Sequence, residues 1–351
     1  YGHGAVPVSR ALADLGAEYL AVSNLEEAVQ IRRGEVRLPI LILGYTPAEY
    51  AANMIFLDIT QEVHSLEYAR ELNEALAGTN YILNVHLKLD TGMTRIGFFA
   101  YDNERTLDEL RQVAQLPHLH IEGVFMHFCV ADSRAEADVS FTKLQYKRFM
   151  DMLSAMAGVG IRPEIRHCCN SGATILYPEF ALDMVRPGIV TYGNAPSDEL
   201  EGALSLRPMM SLHSMIAQVR TVPAGTDISY GRLYRTKEET RVAVLPIGYA
   251  DGLSRLLTGK ASFYLQGHQV PVIGRICMDM CMIDVSNVPE AKPGDVVTIF
   301  GYDDDGTLLP CERLARAQGT INYELLCQIS KRIPRICHRG AETSQILQYI
   351  V

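Results

Sequence analysis

No stretch of this 351-residue chain reaches the roughly 18–20 consecutive apolar residues that a membrane helix needs. It opens with neither a signal-peptide pattern nor a methionine but at Tyr1, so we expect the natural protein to begin further upstream. Positive charge is also scarce, since 32 Lys and Arg stand against 41 Asp and Glu, a net charge of −9. That balance argues against a nucleic-acid-binding surface. These features favour a soluble, cytoplasmic enzyme.

Cysteine is present, but not in a pattern that binds a metal or builds a disulfide framework. Secreted disulfide scaffolds are shorter and denser in cysteine, so we expect free thiols in a reducing compartment. Cys277 and Cys281 have no second pair at the spacing of a zinc site, so no metal is predicted. The eight cysteines are Cys129, Cys168, Cys169, Cys277, Cys281, Cys311, Cys327 and Cys337.

Up to about residue 195, short apolar runs alternate with amphipathic segments such as 65–76 and 142–156. Buried strands separated by helices are typical of parallel β/α units. An open dinucleotide-binding sheet would need a Gly-x-Gly-x-x-Gly turn, and none follows these strands. We therefore predict an α/β fold, an eight-stranded (β/α) barrel whose first strand lies upstream of Tyr1. The seven predicted strands are 19–22, 39–43, 56–59, 81–89, 121–128, 165–169 and 181–185.

Beyond residue 206, alternating runs without long helices indicate a mainly β domain. Proline, glycine and aspartate turns separate the runs, and a helical segment follows at 311–317. The predicted domains are thus 1–206, the barrel, and 207–351, the β domain. The β-domain strands are predicted at 215–222, 241–246, 269–273, 281–285 and 295–300.

Polar residues collect where the predicted barrel strands end, which is where barrel enzymes keep their active sites. Lys88 and Arg95 flank Asp90, an arrangement that could be no more than a buried ion pair. His127 ends another strand, where a lone histidine is more often a core residue than a catalyst. The segment 170–172, Asn-Ser-Gly, could bind an anion through backbone N–H groups or cap a helix, and the two roles are compatible.

Further candidates are weak when each is taken alone. Arg186 precedes Pro-Gly at the end of the seventh predicted strand. In the β domain, Tyr230 and Tyr249 each lie beside a glycine, and Met278-Asp279 ends a glycine-led segment. A tyrosine beside glycine is usually only a turn with a packed ring.

Taken together and in this order, these motifs resemble alanine racemases over nearly the whole chain. The cofactor motif of that family is a lysine, three residues, and then Tyr-Gly-His-Gly, and the chain begins Tyr1-Gly-His-Gly4. The resemblance implies that the cofactor is pyridoxal 5′-phosphate (PLP). It also implies that the Schiff-base lysine lies four residues before Tyr1.

The resemblance assigns roles to the barrel residues. Arg186 would face the pyridine nitrogen of PLP, and since arginine is effectively always protonated, that nitrogen would stay unprotonated, which limits side reactions. His127 would orient Arg186. Lys88 corresponds to a lysine that is carbamylated in many relatives, and its anion would position Arg95. The residues that would hold the cofactor are Tyr1, Arg95, Asn170, Ser171, Arg186, Gly188, Ile189 and Tyr323.

Racemisation needs a proton removed from one face of Cα and delivered to the other. By the resemblance, the PLP lysine serves one face and Tyr230 of the partner subunit serves the other, which implies a homodimer with shared sites. Arg95 would bind the substrate carboxylate. The remaining residues near the substrate or its entrance would be Tyr249, Met278, Asp279, Tyr323 and Arg255.

Three positions depart from the family pattern: Met126 stands for Thr, Cys169 for Ala and Met280 for Gln. They concern the identity of the substrate more than the type of reaction. We expect interconversion of L- and D-alanine, which supplies a D-amino acid for bacterial cell-wall peptidoglycan. The alternative is a serine racemase with mixed serine and alanine activity, forming the cytoplasmic domain of a membrane-anchored vancomycin-resistance protein. An apolar pocket rejects an added hydroxyl only about 10²-fold.

Two other classes of protein fit the sequence less well. A non-catalytic PLP-binding barrel would lack the β domain that contains Tyr230. A basic-amino-acid decarboxylase would place an acid opposite the pyridine nitrogen, where this chain has Arg186.

Overall fold

The computed structural model describes residues 1–340 and 342–349, apart from the side chain of Asn103. The chain forms two compact units, which we call the α/β unit and the β unit. They consist, respectively, of Ala5–Thr191 with Ala195–Leu206, and of Tyr1–Gly4 and Tyr192–Asn194 with the residues from Arg207 onward. The first four residues therefore fold with the β unit, although they precede the first helix of the α/β unit.

The strands of the α/β unit all pair in parallel. They are β1 (Leu20–Val22), β2 (Ile40–Ile42), β3 (Ile59–Val63), β4 (Leu83–Asp90), β5 (Phe98–Phe99), β6 (Leu119–Phe125) and β7 (Ile165–His167). Their order is β1-β2-β3-β4-β6-β7, and the short β5 pairs with β4. This barrel-type parallel sheet confirms the predicted α/β class.

Helices alternate with these strands. They are α1 (Ala5–Asp14), α2 (Leu25–Arg33), α3 (Ala51–Phe56), α4 (Leu66–Ala75), α5 (Asn103–Val113), α6 (Glu136–Gly158) and α7 (Ser171–Leu176). Asn24 caps α2 and Ser65 caps α4, each accepting a backbone N–H three residues ahead, a contact worth about 1 kcal/mol. Among the described residues, no helix combines the length and apolarity required to cross a membrane.

Several predicted barrel strands differ from the structure. The one predicted at 121–128 is β6, which ends at Phe125, so His127 lies in the loop that follows. The strand predicted at 56–59 begins too early, because the apolar run before Ile59 belongs to the end of α3. Short apolar runs do not distinguish a strand from a helix. The strand predicted at 181–185 is reduced to a single parallel bridge between Met184 and His167. Its backbone nevertheless follows β7, since the Arg186 N–H donates to the carbonyl of Cys169 at 2.9 Å.

Polar side chains are buried in the two central strands of this sheet. All five residues of β3 are buried, although Gln61 and Glu62 are polar, and β4 buries His86, Lys88 and Asp90. Because a buried polar group costs free energy unless it has a partner, such a concentration within one sheet marks a functional region.

The strands of the β unit pair antiparallel, which confirms the predicted mainly β second domain. The strands are β8 (Leu212–Met215), β9 (Gln218–Val222), β10 (Asp227–Ile228), β11 (Tyr234–Arg235), β12 (Thr240–Leu245), β13 (Ser262–Leu265), β14 (His268–Ile273), β15 (Cys281–Asp284), β16 (Val296–Tyr302), β17 (Leu308–Leu309), β18 (Arg335–Arg339) and β19 (Glu342–Leu347). The main sheet has the order β17-β16-β13-β14-β15-β12-β9, with β8 paired to β16, while β10 with β11 and β18 with β19 form separate hairpins. The helices are α8 (Cys311–Gln318) and α9 (Asn322–Gln328).

The β unit also differs from prediction in detail. The run predicted at 215–222 is two strands, β8 and β9, which are separated at Ile216. Strand β13 and the hairpins were not predicted. Short 3₁₀ turns complete both units, at Ala48–Tyr50, Pro178–Phe180, Ile189–Tyr192, Asp198–Leu200, Tyr230–Arg232, Tyr249–Asp251 and Arg255–Leu257.

Candidate active site

Lys88 is buried in β4, with 4% of its surface exposed. Its Nζ lies 4.9 Å from the centre of the Phe125 ring and 3.4 Å from the carbonyl oxygen of Leu89. Burial lowers the pKa of Lys88 from 10.5 to about 7, and the charges of Arg186 and Arg95 contribute to the same shift. A substantial fraction of this amine is therefore neutral near pH 7.

Asp90 does not form the ion pair that the sequence left open. Its Oδ1 instead accepts the backbone N–H groups of Gly92 and Thr94, at 2.9 and 3.0 Å. In the described chain neither Lys88 nor Arg95 pairs with a carboxylate. Asp90 thus shapes the loop that follows β4, and this loop leaves Arg95 exposed.

Arg186 is held by three acceptors. Its Nη1 donates to Nδ1 of His167 at 2.6 Å, and Nη2 donates to the carbonyl oxygens of Met126 and Cys168 at 2.7 and 3.2 Å. Burial lowers its pKa to about 10, so the guanidinium stays charged at neutral pH. Over residues 1–340 and 342–349, its Nε–H and second Nη1–H have no acceptor and can bind a ligand.

The orienting contact that the sequence assigned to His127 is made instead by His167. The imidazole of His127 has no hydrogen bond within the described residues. Burial, followed by the charges of Arg186, Lys88 and Arg95, lowers its pKa to about 3. His127 is therefore a neutral ring near Arg186, Lys88 and Arg95. His127 and His167 are both distant from Arg186 along the chain, so the sequence alone could not show which of them contacts it.

Gln145 of α6 connects the loops that follow β4 and β6. Its Nε2 lies 3.2 Å from Thr91 Oγ1 and 3.3 Å from the carbonyl oxygen of His127, and its Oε1 accepts the N–H of Cys129 at 3.2 Å. The side chain is completely buried. It links the backbone segments that carry Arg95 and His127, a role that the sequence did not reveal.

The predicted anion-binding residues lie together in the α/β unit. Asn170 caps α7 by accepting the N–H of Ala173 at 3.0 Å, which confirms the helix-cap interpretation. Ser171 Oγ accepts the N–H of Gly188 at 2.8 Å. Ile189 follows and is buried. This bond joins the start of α7 to the loop after Arg186, and anion binding by these groups stays a prediction.

Tyr1 and Tyr323, predicted to hold the phosphate, are neighbours in the β unit. The centre of the Tyr1 ring lies 6.0 Å from that of Tyr323 and 4.9 Å from that of Tyr192. Gly2 adopts φ +79°, and a Cβ there would lie 2.9 Å from the carbonyl oxygen of Leu326. Arg335 Nε donates to the Gly2 carbonyl at 3.2 Å. Glycine at this position therefore allows the Tyr1 segment to pack closely.

Tyr230 is 70% exposed, at the tip of the loop between β10 and β11. Three residues of this loop have positive φ: Ser229 at 62°, Gly231 at 72° and Arg232 at 50°. For the non-glycine residues, such a conformation costs on the order of 1–3 kcal/mol and is concentrated at functional sites. Ser229 is held by donating from Oγ to the carbonyl of Arg275 at 2.7 Å.

The other β-unit candidates adjoin the same segment. Tyr249 N–H donates to the carbonyl of Cys277 at 3.0 Å, and Met278 and Asp279 follow directly. Ser229 Oγ lies 3.5 Å from Cys277 Sγ. The structure therefore brings the Tyr230 loop, Tyr249, Met278 and Asp279 into one surface cluster.

The three departures from the family pattern occupy different environments. Met126 and Cys169 are completely buried, and Met126 supplies a carbonyl to Arg186. Met280 is 50% exposed. Arg255, predicted to lie at the entrance, is exposed in its short turn.

Comparison with known proteins decides the family. Residues 1–196 match the family model described as alanine racemase, N-terminal domain, and residues 209–337 match alanine racemase, C-terminal domain. The chain belongs to the alanine racemase family. The resemblance that the motifs indicated is thereby confirmed.

Individual members of the family match nearly end to end. The alanine racemase of Desulfovibrio desulfuricans is 46% identical over 96% of this chain and 88% of its own length. The alanine racemase of Clostridium tetani is 42% identical over 100% of this chain and 89% of its own length. The solved alanine racemase of Clostridium difficile 630 has a TM-score of 0.92 at 39% identity, covering 100% of this chain and 90% of its own. The Bacillus anthracis enzyme with bound L-Ala-P has a TM-score of 0.91 at 35% identity, covering 99% and 88%.

Proposed function

We propose that the chain acts as a PLP-dependent enzyme that interconverts L- and D-alanine. The observation that carries this proposal is Arg186, a charged guanidinium fixed by three acceptors while two of its N–H groups remain available. The named relatives are alanine racemases, which favours alanine over the serine alternative.

The residues present suit PLP. An available N–H of Arg186 can donate to the pyridine nitrogen, and because arginine keeps its proton, that nitrogen stays an acceptor. In the α/β unit, the phosphate would be bound by the Ser171 hydroxyl and the Ile189 N–H, beside Asn170. The Gly188 N–H, which donates to Ser171 Oγ in this structure, would turn to the phosphate. In the β unit, the Tyr1 and Tyr323 rings are neighbours, and by the family resemblance their hydroxyls would bind phosphate. The lysine that binds PLP covalently would precede Tyr1.

When bound, PLP withdraws electrons from the substrate Cα and so makes the Cα proton removable. The exposed guanidinium of Arg95 would bind the substrate carboxylate, since its fork of donors matches two carboxylate oxygens. His127, being neutral, can accept a hydrogen bond from a neighbouring group but does not take up a proton near neutral pH.

Tyr230 Oη would hold or release the proton on one face of Cα, while the upstream lysine serves the opposite face. We assign Tyr230 to the site of the partner subunit in a homodimer, with Met278, Asp279 and Tyr249 beside the substrate. The support is its exposure on a strained loop, within a cluster that contains the exposed Met278.

The direct test uses the protein extended through the residues before Tyr1 and loaded with PLP. Circular dichroism should show L-alanine and D-alanine converging to a racemic mixture, with a higher kcat/KM than for serine. Replacing the upstream lysine by alanine should abolish both the visible absorption of bound cofactor and the turnover. Racemisation of serine in preference to alanine would contradict the assignment of substrate.

Lys88 provides a second test, because only a neutral amine reacts with CO₂. With a pKa of about 7, its neutral fraction should rise from about a tenth at pH 6 to about nine tenths at pH 8. At constant dissolved ¹³CO₂, we expect a carbamate ¹³C resonance that grows over this range, since Arg95 and Arg186 would stabilise the new anion.

Two variants control the carbamylation experiment. The signal should vanish in Lys88→Met and persist in Lys143→Met, which removes an exposed lysine of α6. Equal labelling of the Lys88→Met protein would show that the carbamate forms elsewhere.

A further inference from the structure

A continuous chain of hydrogen bonds runs inward from Arg186 through two buried histidines to a carboxylate. Arg186 Nη1 lies 2.6 Å from His167 Nδ1. His167 Nε2 lies 2.8 Å from His86 Nδ1, and His86 Nε2 lies 3.1 Å from Glu122 Oε2. Both imidazoles have no exposed surface. We call these four side chains the Arg186–Glu122 relay.

Two hydroxyl groups also contact the carboxylate at the end of the relay. Glu122 Oε2 lies 3.0 Å from the hydroxyl of Tyr19 and 3.2 Å from that of Thr60, and these two hydroxyls are 2.8 Å apart. Hydrogen bonding from His86 lowers the pKa of Glu122. Burial raises the pKa of Tyr19, so its hydroxyl keeps its proton. Glu122 is therefore an ionised acceptor at neutral pH.

The direction of every bond in the relay follows from its two ends. Arg186 can only donate, so Nδ1 of His167 must accept, and a neutral His167 carries its proton on Nε2. That proton is donated to Nδ1 of His86, which places the proton of His86 on Nε2, facing Glu122. Burial, followed by the charge of Arg186, lowers the pKa of His167 well below its ordinary value and keeps this ring neutral. One tautomer of each ring satisfies all three bonds.

Packing prevents the rings from leaving this arrangement. Gly123 faces His86 across β6 and β4, and a Cβ at Gly123 would lie 2.5–2.6 Å from three atoms of the His86 ring. The His167 ring stacks on Phe125, with ring centres 4.9 Å apart and planes 8° from parallel. The Arg186 guanidinium lies 5.3 Å from the centre of the same Phe125 ring.

We propose that Glu122 is a positioning residue for Arg186. By accepting from His86, it fixes both histidines as Nε2–H tautomers, keeps His167 Nδ1 an acceptor and so holds Arg186 with its available N–H groups directed at the cofactor. The consequence at the cofactor rests on the proposed function. The tautomers themselves do not depend on it, so the two ideas can fail separately.

The structural alternative is that Glu122 and His86 form only a buried polar pair that stabilises the sheet. A matched pair exists on the neighbouring strand, where Glu62 Oε1 lies 2.9 Å from His64 Nδ1 and the Glu62 carboxylate is completely buried. Glu62 and His64 have no hydrogen bond to Arg186 or its relay in the described residues. Loss of this second pair should therefore leave the relay intact.

¹⁵N NMR of histidine-labelled, PLP-loaded, full-length protein tests the tautomers directly. We expect His86 and His167 to show an unprotonated Nδ1 and a protonated Nε2. Glu122→Leu should change the His86 resonances, because its Nε2–H loses its acceptor, whereas Glu122→Gln should keep the pattern through the amide oxygen. Glu62→Leu should change neither ring. Identical spectra for wild type and Glu122→Leu would overturn the proposal.

Racemisation kinetics test the consequence at Arg186. Glu122→Leu should lower kcat by about 10–100-fold, the usual effect of losing a residue that orients a functional group, with little change in KM. Glu122→Gln should restore most of the loss. Gly123→Ala, which leaves Glu122 in place and pushes the His86 ring, provides an independent route and should lower kcat similarly. Altered tautomers with unchanged kcat would overturn the positioning role, and inactive wild-type protein would refute only the proposed function.

Discussion

Replacing Tyr230 by phenylalanine is expected to lower racemisation by about 10²–10⁴-fold, the loss typical of a missing acid/base group. The variant keeps the ring and removes only the hydroxyl. Because Ser229 Oγ and the backbone hold the loop, its strained conformation should persist. Racemisation from L-alanine and from D-alanine should both be measured, together with the visible absorption of bound PLP, which should survive.

Tyr234→Phe is the matched control, since Tyr234 lies in β11 of the same hairpin and packs against the small core of Ile228, Val242 and Ile273. This variant should keep wild-type racemisation. If Tyr230→Phe retains more than about a tenth of wild-type kcat, its hydroxyl is not the second acid/base group.

Mixing two inactive proteins tests whether Tyr230 serves the partner subunit. One is Tyr230→Phe, and the other carries alanine at the upstream PLP lysine. In a shared-site dimer, each mixed dimer has one site with both defects and one with neither, so up to about a quarter of wild-type activity should return. A mixture that stays inactive while its subunits exchange would place both residues in the same chain's site.

Several strands of the α/β unit could be predicted because they contain short apolar runs, as in the completely buried β2, although β3 and β4 also bury polar residues. Lys88, His127 and Arg186 stood out as polar residues at the ends of such runs, where the structure places all three. His167 lies in a predicted strand just before Asn170, but a histidine within an apolar run has the pattern of a core residue. Only the folded geometry shows which histidine faces Arg186.

A period-two argument could have found part of the relay. His86 lies two residues before Lys88 in β4, so both side chains point to the same face of the sheet. Gly123 follows Glu122 in the sequence, but the reason for a glycine there is the close approach of the His86 ring. That approach depends on the parallel register that pairs Gly123 with His86. Register between strands distant in sequence cannot be read from either strand alone.

The β unit was less predictable, since the loop that carries Tyr230 is flanked by strands of only two residues each, β10 and β11. Such short strands have no measurable hydrophobic period. The positive φ of Ser229 could not be foreseen either, because serine ordinarily avoids that region and is held there by contacts with Arg275 and Cys277.

Arg186→Glu is expected to lower racemisation by at least about 10²-fold. It should also transfer the amino group of alanine to PLP, which leaves pyridoxamine phosphate and releases about one equivalent of pyruvate per site. An acid at this position would let the ring nitrogen carry a proton, so the cofactor would become a stronger electron sink. A coupled assay for pyruvate measures the new reaction. Arg186→Lys keeps a cation there and should form no pyruvate, even where racemisation is slowed. Unchanged racemisation in Arg186→Glu would refute the role of Arg186.

Arg186→Glu should also reverse the direction of the hydrogen bonds in the Arg186–Glu122 relay. This reversal tests whether residues 186 and 122 are coupled. A carboxylate at 186 requires a proton on His167 Nδ1. His167 Nε2 must then accept from His86 Nδ1, which leaves a lone pair on His86 Nε2. This lone pair faces the Glu122 carboxylate, so two acceptors lie 3.1 Å apart in the present geometry. The folded variant can relieve this repulsion only by binding an extra proton. The pKa of the group that binds this proton is therefore raised, and the stability of the variant should fall as pH rises through that pKa.

Adding Glu122→Gln supplies an amide donor to His86, so the reversed hydrogen bonds can form without the extra proton. We therefore expect the double variant to be more stable at pH 8 than Arg186→Glu by about 1–3 kcal/mol, with a weaker pH dependence. Because residues 186 and 122 share no direct contact, additive effects of the two substitutions in thermal unfolding would show that no relay joins them.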